Sequence, residues 1–361
     1  MRLVEMNIEA LLGYLVQMNA SDLHLKAGAP PIVRVDGTLS ALDLPVVSPS
    51  DTEAFATQLL PPMKREQLAA TGDAEFGLSV EGLGRFRVNA FRERGKVRFV
   101  IRSVPVTTPT LAELNLPDSI VSLAQERRGM ILVTGPAGTG KTTTIAAVIG
   151  LINSVRRCHI VTIEDPVEVV HGDHLSLIDQ REVGTDVLSY AAGMKYVVRQ
   201  DPDVIFIGEI RDVETAEAAI QAAETGHLVI STMHTTDATE TVNRLIDLFP
   251  AERQRQVRLS LASTLRGVIC QRLLARADGA GRVPAVELMV VTGRVQERIL
   301  DASQTGKISE VIREGGYYGM QTFDQSLMWL LAEDLVSLEA ARATASSPHD
   351  FELALAQAQL A

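Results

Sequence analysis

Cysteine is scarce in this chain, whose 361 residues include only two, Cys158 and Cys270, far apart in the sequence. Two distant cysteines match neither a disulfide framework nor the paired spacing of a cysteine-bound metal site. Because disulfides are rare in reducing compartments, the sequence favours a protein of the cytosol.

Long apolar runs are also missing. No stretch approaches the roughly 20 consecutive apolar residues that a membrane-spanning helix needs. The segment from Met1 to Glu9 lacks the charged-then-apolar layout of a signal peptide. We therefore expect no membrane insertion, and we expect any association with a membrane to depend on a partner protein.

The chain has no excess of positive charge. Its 34 Lys and Arg residues are outnumbered by 45 Asp and Glu residues, which gives a net charge of −11 and a pI near 5.2. Nucleic-acid-binding proteins usually present basic surfaces to the phosphate backbone. Direct nucleic-acid binding is therefore disfavoured, although a local basic patch is compatible with this charge.

A glycine-rich loop follows the apolar run 131–133 and precedes a segment whose apolar residues have helical spacing. The loop and the start of that segment consist of Gly135, Pro136, Ala137, Gly138, Thr139, Gly140, Lys141, Thr142 and Thr143. Strand, glycine loop and helix in this order are the context of a phosphate-binding loop, whereas a plain glycine turn would not need the full spacing. Glycines let backbone N–H groups surround a phosphate, Lys141 can reach the β- and γ-phosphates, and the Thr142 hydroxyl can bind Mg²⁺. The sequence predicts that the chain binds a nucleoside triphosphate.

From residue 118 onward, apolar strands alternate with helices. Three runs have the composition of buried strands: 159–163, 204–207 and 228–232. This alternation is typical of a parallel sheet covered by helices, in which ligands bind beyond the carboxyl ends of the strands. Glu164, Glu209 and His234 each follow such an end, so we expect them in one crevice with the phosphate-binding loop.

The chemistry of γ-phosphate hydrolysis suggests roles for these side chains, since it requires a positioned water, Mg²⁺ and cationic stabilisation of the transition state. Glu209 matches the position of a Walker B acid, and Glu164 is a second carboxylate that could hold the water or the metal shell. Thr142, Glu164 and Glu209 are all candidates for the Mg²⁺ shell. The spacing does not show which of the two acids binds the metal and which holds the water. His227 and His234 are candidates for sensing the γ-phosphate or relaying its loss to an adjacent subunit. A single acid after a strand is usually a helix cap and a single histidine usually packs, but the ordered set favours a site.

The first 104 residues predict a small α+β domain. A helix at 7–19 and another around 50–70 accompany short strands with alternating polar and apolar residues. Residues 105–117, rich in proline and threonine, are predicted to link this domain to the ATPase region at 118–361. Beyond residue 250 the chain is predicted to be helical, and an apolar face is traced by Val257, Leu261, Leu265, Val268 and Ile269.

Arginines are frequent on the strands of the first domain, among them Arg87 and Arg102. Alternate strand positions face solvent, so these side chains could serve solubility alone. Beside a phosphate-binding loop, arginines from a neighbouring domain or subunit can also neutralise charge that develops on the γ-phosphate. Spacing does not decide between these readings.

The ordered motifs resemble those of the secretion-type hexameric ATPases and, within them, the PilT-like motor ATPases of type IV pili. The stretches that carry the resemblance, besides the phosphate-binding loop, are Ala20 to Leu25, Arg34 to Gly37, Arg85 to Asn89, Ile163 to Glu168, Gly208 to Asp212 and Thr225 to His234. They are similar to the opening signatures, the Asp box, the Walker B motif and the His box of the family. The resemblance covers nearly the whole chain.

This resemblance implies a PAS-like α+β first domain, at 1–104, and a RecA-like α/β ATPase domain that binds ATP and Mg²⁺. It further implies a homohexameric ring at the cytoplasmic face of the inner membrane, docked on a pilus platform protein and acting indirectly on pilin. Arg87 and Arg102 correspond by position to the family's arginine fingers, which favours a role for these two over the solubility reading.

Within the family, retraction motors must be distinguished from extension motors. Extension motors and type II secretion ATPases usually add an N-terminal domain and a tetracysteine zinc module, and this sequence shows neither; Gly319 to Asp324 also resembles the retraction branch. The stretch from Gly293 to Asp301 departs from the Ala-Ile-Arg-Asn-Leu-Ile-Arg-Glu motif of retraction motors. Retraction of type IV pili, which underlies twitching motility, is thus the favoured function. The alternatives are pilus extension, an accessory motor, a weakly hydrolysing regulatory module or, least favoured, a DNA-translocating ATPase.

Overall fold

The structure, a computed structural model, describes residues 7–35, 37–104, 108–279 and 281–360. The chain forms two compact units. Unit 1 comprises Met1–Thr107, Ile163–His171 and Gln180–Ser189, and unit 2 comprises Thr108–Thr162, Gly172–Asp179 and Tyr190–Ala361. Two pieces of the region downstream of the phosphate-binding loop therefore cluster with the N-terminal part of the chain. The boundaries predicted at 104 and 118 stay a prediction.

Unit 1 is built on an antiparallel sheet of six strands in the order β3-β2-β1-β6-β5-β4. The strands are β1 Asp22–Lys26, β2 Ile32–Val35, β3 Thr38–Ala41, β4 Asp73–Val80, β5 Gly84–Glu93 and β6 Lys96–Val104, and the helices are α1 Ile8–Gln17, α2 Pro49–Leu59 and α3 Pro62–Thr71. In β5, Phe86, Val88 and Ala90 are fully buried and alternate with partly exposed Arg85 and Arg87. This alternation places the apolar face of the sheet against the core and the arginines on the other face.

The single helix predicted around 50–70 is wrong, because the structure has two helices there. Leu60 has an extended backbone with ψ 128°, and α3 restarts at Pro62. The residue before a proline is disfavoured in helical conformation, and proline is favoured in the first turn of a new helix. The consecutive prolines Pro61 and Pro62 thus break the helical run.

Unit 2 contains most of a seven-stranded mixed sheet with the order β13-β12-β7-β11-β10-β8-β9. The strands are β7 Gly129–Thr134, β8 His159–Glu164, β9 Leu177–Glu182, β10 Val204–Ile207, β11 Leu228–Met233, β12 Leu265–Ala275 and β13 Arg282–Val290. The helices are α4 Ser119–Ala124, α5 Lys141–Val155, α6 Tyr190–Val197, α7 Val213–Glu224, α8 Ala238–Asp247, α9 Ala251–Thr264, α10 Gly293–Leu300, α11 Ile308–Glu314, α12 Phe323–Ala332, α13 Leu338–Thr344 and α14 Pro348–Leu360. Two short 3₁₀ helices span Thr305–Lys307 and Gly316–Tyr318.

The centre of this sheet is parallel, as predicted. Strands β7, β10 and β11 are buried along their whole length, and β11 pairs in parallel with both neighbours. Of the stretch predicted as a linker, residues 105–107 lie outside the described residues, whereas Leu111 and Leu116 pack into the core of unit 2. Among the described residues, no helix is both long enough and apolar enough to cross a membrane.

The helical prediction for Leu265, Val268 and Ile269 is wrong. Helix α9 ends at Thr264, and these three residues belong to β12, which pairs in parallel with β7 and antiparallel with β13. Apolar residues spaced by three and four can mimic a helix when a strand is buried on both faces. At Gly267, a Cβ would lie 2.5 Å from the end of the Leu123 side chain, so a larger residue would force Leu123 to shift.

Glu287 is an acid buried in β13, 7% exposed, whose Oε1 accepts a hydrogen bond of 2.9 Å from the Ala238 amide at the start of α8. Burial raises the pKa of Glu287 to about 7, although the Ala238 hydrogen bond opposes this shift. The ordinary value is 4.5, so the folded state holds the proton more tightly than the unfolded chain. Its contribution to stability therefore falls as the pH rises from 4.5 to about 7.

We predict that Glu287→Gln stabilises the fold above pH 7, because the amide keeps an acceptor for Ala238 and removes the buried charge. The expected gain in unfolding free energy is on the order of 3 kcal/mol at pH 8 and about 1 kcal/mol or less near pH 5. Urea unfolding of both proteins at the two pH values measures it. An equal difference at both pH values would contradict the assignment.

Candidate nucleotide site

The phosphate-binding loop connects β7 to α5 with three glycines at positive φ. Gly135, Gly138 and Gly140 have φ of 144°, 79° and 88°, a region that residues with a side chain rarely adopt. A Cβ on Gly135 would lie 2.6 Å from the Gln271 carbonyl oxygen and 2.6 Å from Thr139 Oγ1. The loop is therefore a cradle that side chains would fill, and it suits a phosphate held by backbone N–H groups.

Side chains of the loop fold back over it. Lys141 Nζ donates to the carbonyl oxygens of Gly135 at 2.7 Å and Pro136 at 2.9 Å, and Thr139 Oγ1 donates to Pro136 at 2.9 Å. Thr142, in the first turn of α5, is exposed. The loop thus presents an amine at its mouth and a hydroxyl at a helix N-terminus, the groups that bind a nucleoside phosphate and its magnesium ion.

Sequence reasoning missed Gln271, because it placed the neighbouring residues on a helix. Gln271 lies on β12 and is 1% exposed; its Nε2 donates to Thr144 Oγ1, in the first turn of α5, at 2.9 Å. Its backbone carbonyl is the group that approaches Gly135. Gln271 therefore supports both ends of the phosphate-binding loop, and no local signal in the sequence could have found it.

Three parallel strands place their carboxyl ends at one edge of the sheet. Met233 of β11 pairs with Thr134 of β7, and Ser231 of β11 pairs with Ile207 of β10. The phosphate-binding loop and Glu209 follow the ends of β7 and β10 within a few residues. The structure thus brings the loop, Glu209 and His234 to the same edge, as the alternation of strands and helices predicts.

Glu209 lies between two nitrogen-bearing side chains. Arg211 Nη2 is 3.0 Å from Glu209 Oε1, and His234 Nε2 is 3.4 Å from Glu209 Oε2. The Glu209 side chain is 23% exposed, so it is reachable from solvent. Arg211 is within the Walker B-like stretch, yet sequence reasoning gave it no role.

His227 is not brought to this edge. It precedes β11, so it lies at the opposite end of that strand from His234, and its Nδ1 contacts the Ala222 carbonyl at 2.9 Å and Thr225 Oγ1 at 3.2 Å. A six-residue strand spans about 20 Å. His227 is therefore out of reach of a phosphate bound by the loop of its own chain, which leaves only the predicted relay to another subunit.

Glu164 is the last residue of β8, and its side chain is directed by hydrogen bonds within unit 1. It is 7% exposed, and its Oε1 accepts a hydrogen bond of 3.0 Å from Gln180 Nε2. The same amide nitrogen donates to the Val169 carbonyl at 2.8 Å, and Gln180 Oε1 accepts from the His171 amide at 2.8 Å. Gln180 is thus fixed by the residues around it and fixes Glu164 in turn.

Arg87 and Arg102 lie directly opposite each other on β5 and β6. Arg87 donates from Nε to Glu75 and from Nη1 to Glu168 Oε1, the latter at 2.6 Å. Burial lowers the pKa of Arg87, but the two carboxylates outweigh this effect and raise it above its usual value, so the side chain is charged.

Arg102 is partnered by a buried acid. Its Nε donates to Asp22 Oδ1 at 2.9 Å. Burial raises the pKa of Asp22, but hydrogen bonds from Ser21 and Arg102 outweigh it, so the pKa lies below its usual value. Both predicted finger arginines thus form ion pairs with acids of unit 1, and the Arg102 side chain is 64% exposed.

Within the part of the chain that the structure describes, no three His, Cys, Asp or Glu side chains cluster as they would around a metal ion. Magnesium in nucleotide-binding proteins is held by one or two protein oxygens together with phosphates and water. The hydroxyl of Thr142 and the carboxylate of Glu209 are oxygen donors of this kind, so the residues present fit the predicted ion.

Comparisons with known proteins agree with this geometry. The model of a family described as type II/IV secretion system protein matches residues 2–315. The type IV pilus retractation ATPase PilT of Pseudomonas aeruginosa is 40% identical over 346 residues, covering 96% of this chain and 100% of that protein. A twitching motility protein of Neisseria gonorrhoeae is 42% identical over 332 residues, covering 92% of this chain and 88% of that protein.

Solved structures agree as well. A crystal structure of the pilus retraction motor PilT with bound ADP matches with a TM-score of 0.87 and 42% identity, covering 96% of this chain and 99% of that one. The Legionella pneumophila ATPase DotB matches with a TM-score of 0.83 and 27% identity, covering 93% and 94%. The predicted fold class and the predicted resemblance to PilT-like ATPases are both confirmed. The chain belongs to the type II/IV secretion system protein family of ATPases.

Proposed function

We propose that this chain hydrolyses ATP as the subunit of a hexameric motor that retracts type IV pili. The observation that carries the proposal is the common edge of the sheet, where parallel strands present the phosphate-binding loop, Glu209 and His234. The similarity to PilT over nearly the full length of both chains supports retraction rather than extension of the pilus. The motor would act at the cytoplasmic face of the membrane through a platform protein, and pilin would be moved indirectly.

The residues divide the reaction as follows. Lys141 breaks its hydrogen bonds to the loop carbonyl oxygens and donates instead to the β- and γ-phosphates. Backbone N–H groups of the loop hold the β-phosphate. Thr142 and Glu209 would hold a magnesium ion, which would supply positive charge to the phosphates. Glu164 orients the attacking water. We assign the metal to Glu209 because it belongs to the same unit as the phosphate-binding loop, whereas Glu164 belongs to the segment that clusters with unit 1.

Positive charge for the transition state comes from Arg87 and Arg102 of unit 1, in the same or a neighbouring subunit. Each arginine must leave an acidic partner, Glu75 and Glu168 for Arg87 and Asp22 for Arg102, before it can serve a phosphate. Each arginine exchanges one anionic partner for another, but the buried Asp22 loses the hydrogen bond from Arg102, so this release has a cost that nucleotide binding must offset. ATP-dependent rearrangement of unit 1 is the mechanical output in this scheme.

Removal of the loop amine tests the site. In Lys141→Ala, steady-state ATP turnover of the assembled protein should fall by at least roughly a hundredfold, since electrostatic stabilisation by one group is worth that much. Glu209→Gln should also lose turnover but keep nucleotide affinity better than Lys141→Ala. Lys195→Ala, which removes an exposed lysine of the same unit, is the matched control and should keep wild-type turnover. Normal hydrolysis by Lys141→Ala would refute the assignment, and tight binding with negligible wild-type turnover would favour the regulatory alternative.

Deletion of the gene in the source organism tests whether the motor retracts or extends pili. Loss of a retraction motor leaves assembly unopposed, so cells should accumulate pili and lose twitching motility. Complementation with the wild-type chain should restore both, and complementation with Lys141→Ala should not. Bald cells after deletion would instead indicate that the chain extends pili.

A further inference from the structure

Glu182, at the end of β9, is a buried carboxylate with several donors from different parts of unit 1. It is 2% exposed and forms an ion pair with Arg85 of β5. Its Oε1 accepts from the Gly77 amide of β4 at 2.7 Å, and its Oε2 accepts from the Val167 amide at 3.2 Å. A carboxylate removed from water needs such partners, because an unpaired buried charge is costly.

The close approach at this point depends on glycine. A Cβ on Gly77 would collide with Arg85 and with Glu182 Oε2. Strand β4 therefore contacts the buried ion pair through its backbone at Gly77.

Residues close to Glu182 in the chain also contact Glu164. Its neighbour Val183 donates from its amide to the Glu164 carbonyl at 2.8 Å, and Val167, which binds the Glu182 carboxylate, follows Glu164 by three residues. On the other side, Gln180 holds the Glu164 carboxylate itself. Glu182 thus binds Arg85 and Gly77, while two residues close to it in the chain bind Glu164: Val183 contacts its backbone, and Gln180, on the same strand β9, contacts its side chain.

The division of the chain into units agrees with this path. Strand β8 crosses from one unit to the other: residues 159–162 belong to unit 2, and Glu164 belongs to unit 1 with Gln180 and Glu182. By its contacts, the end of β8 is part of the N-terminal unit.

We propose that Arg85, Glu182 and Gln180 are positioning residues that couple the N-terminal sheet to the Glu164 carboxylate, so that the N-terminal domain controls ATP hydrolysis through an acid as well as through arginines. This inference rests on the proposed function, in which Glu164 orients the attacking water. A small misplacement of such a group is enough to slow the chemical step without weakening substrate binding.

The test compares kcat and KM for ATP in the full-length assembled protein. Glu182→Gln removes the charge that Arg85 binds and keeps an acceptor, and Gln180→Met removes the donor to Glu164 at similar volume. Both should lower kcat by roughly tenfold to a hundredfold and leave KM within about twofold. Arg85→Lys, which keeps the charge, should retain more activity than Arg85→Met. If Glu182→Gln fails to fold, Gln180→Met carries the test.

The controls separate this inference from the proposed function. Arg92→Gln, on the same strand as Arg85 but exposed and paired with Glu53, should behave as wild type. Glu164→Gln should abolish turnover in every background. If Glu164→Gln turns over normally, both the proposed function and the inference fail. Two results with an inactive Glu164→Gln would overturn the inference alone. In the first, Glu182→Gln and Gln180→Met keep the wild-type kcat. In the second, these variants lose kcat, ATP affinity and melting temperature together, as a general structural defect would cause.

Discussion

The parallel pairing of β7, β10 and β11 is the constraint on which the nucleotide site depends. These strands are buried on both faces, so they accommodate apolar side chains along their length, and polar groups are placed where the strands end. Because all three run in the same direction, those ends meet at one edge. The loop glycines and Lys141 follow one strand, Glu209 the next and His234 the third. A site for a triphosphate is therefore a consequence of strand direction together with a few residues after each strand.

Much of this arrangement could be predicted from local sequence. The loop spacing and the apolar runs before Glu209 and His234 are short-range signals that neighbouring structure does not override. The strand at Leu265 to Ala275 was missed because its apolar residues also fit a helix, and only pairing with β7 decides between the two. The role of Gln271, which lies on this strand, was missed for the same reason. His227 illustrates another limit, because a motif that places two histidines near each other in sequence does not show that a strand separates them.

The side chains around Glu164 and the predicted finger arginines were beyond sequence reasoning for a different reason. Their partners lie far away in the chain: Glu182 binds Arg85 and Gly77 across about a hundred residues, and Arg87 binds Glu168 across 81. Contacts between such distant residues produce no periodic pattern in the sequence. They nevertheless decide how the chemistry is distributed, since they attach one carboxylate to the N-terminal unit and leave the phosphate-binding loop and Glu209 in the other.

The most direct test of this account is a distance measurement by pulsed electron resonance between spin labels. Leu188, in the segment 180–189, and Met63, on α3, are both exposed positions of unit 1, and Tyr317 is an exposed position of unit 2. Labels would be placed in pairs at these sites after replacement of Cys158 and Cys270, with turnover checked first. The account predicts that on addition of a non-hydrolysable ATP analogue the distance from Leu188 to Met63 stays constant while that from Leu188 to Tyr317 changes. A constant distance from Leu188 to Tyr317 with a changed distance to Met63 would show that the segment follows unit 2, and would contradict the account.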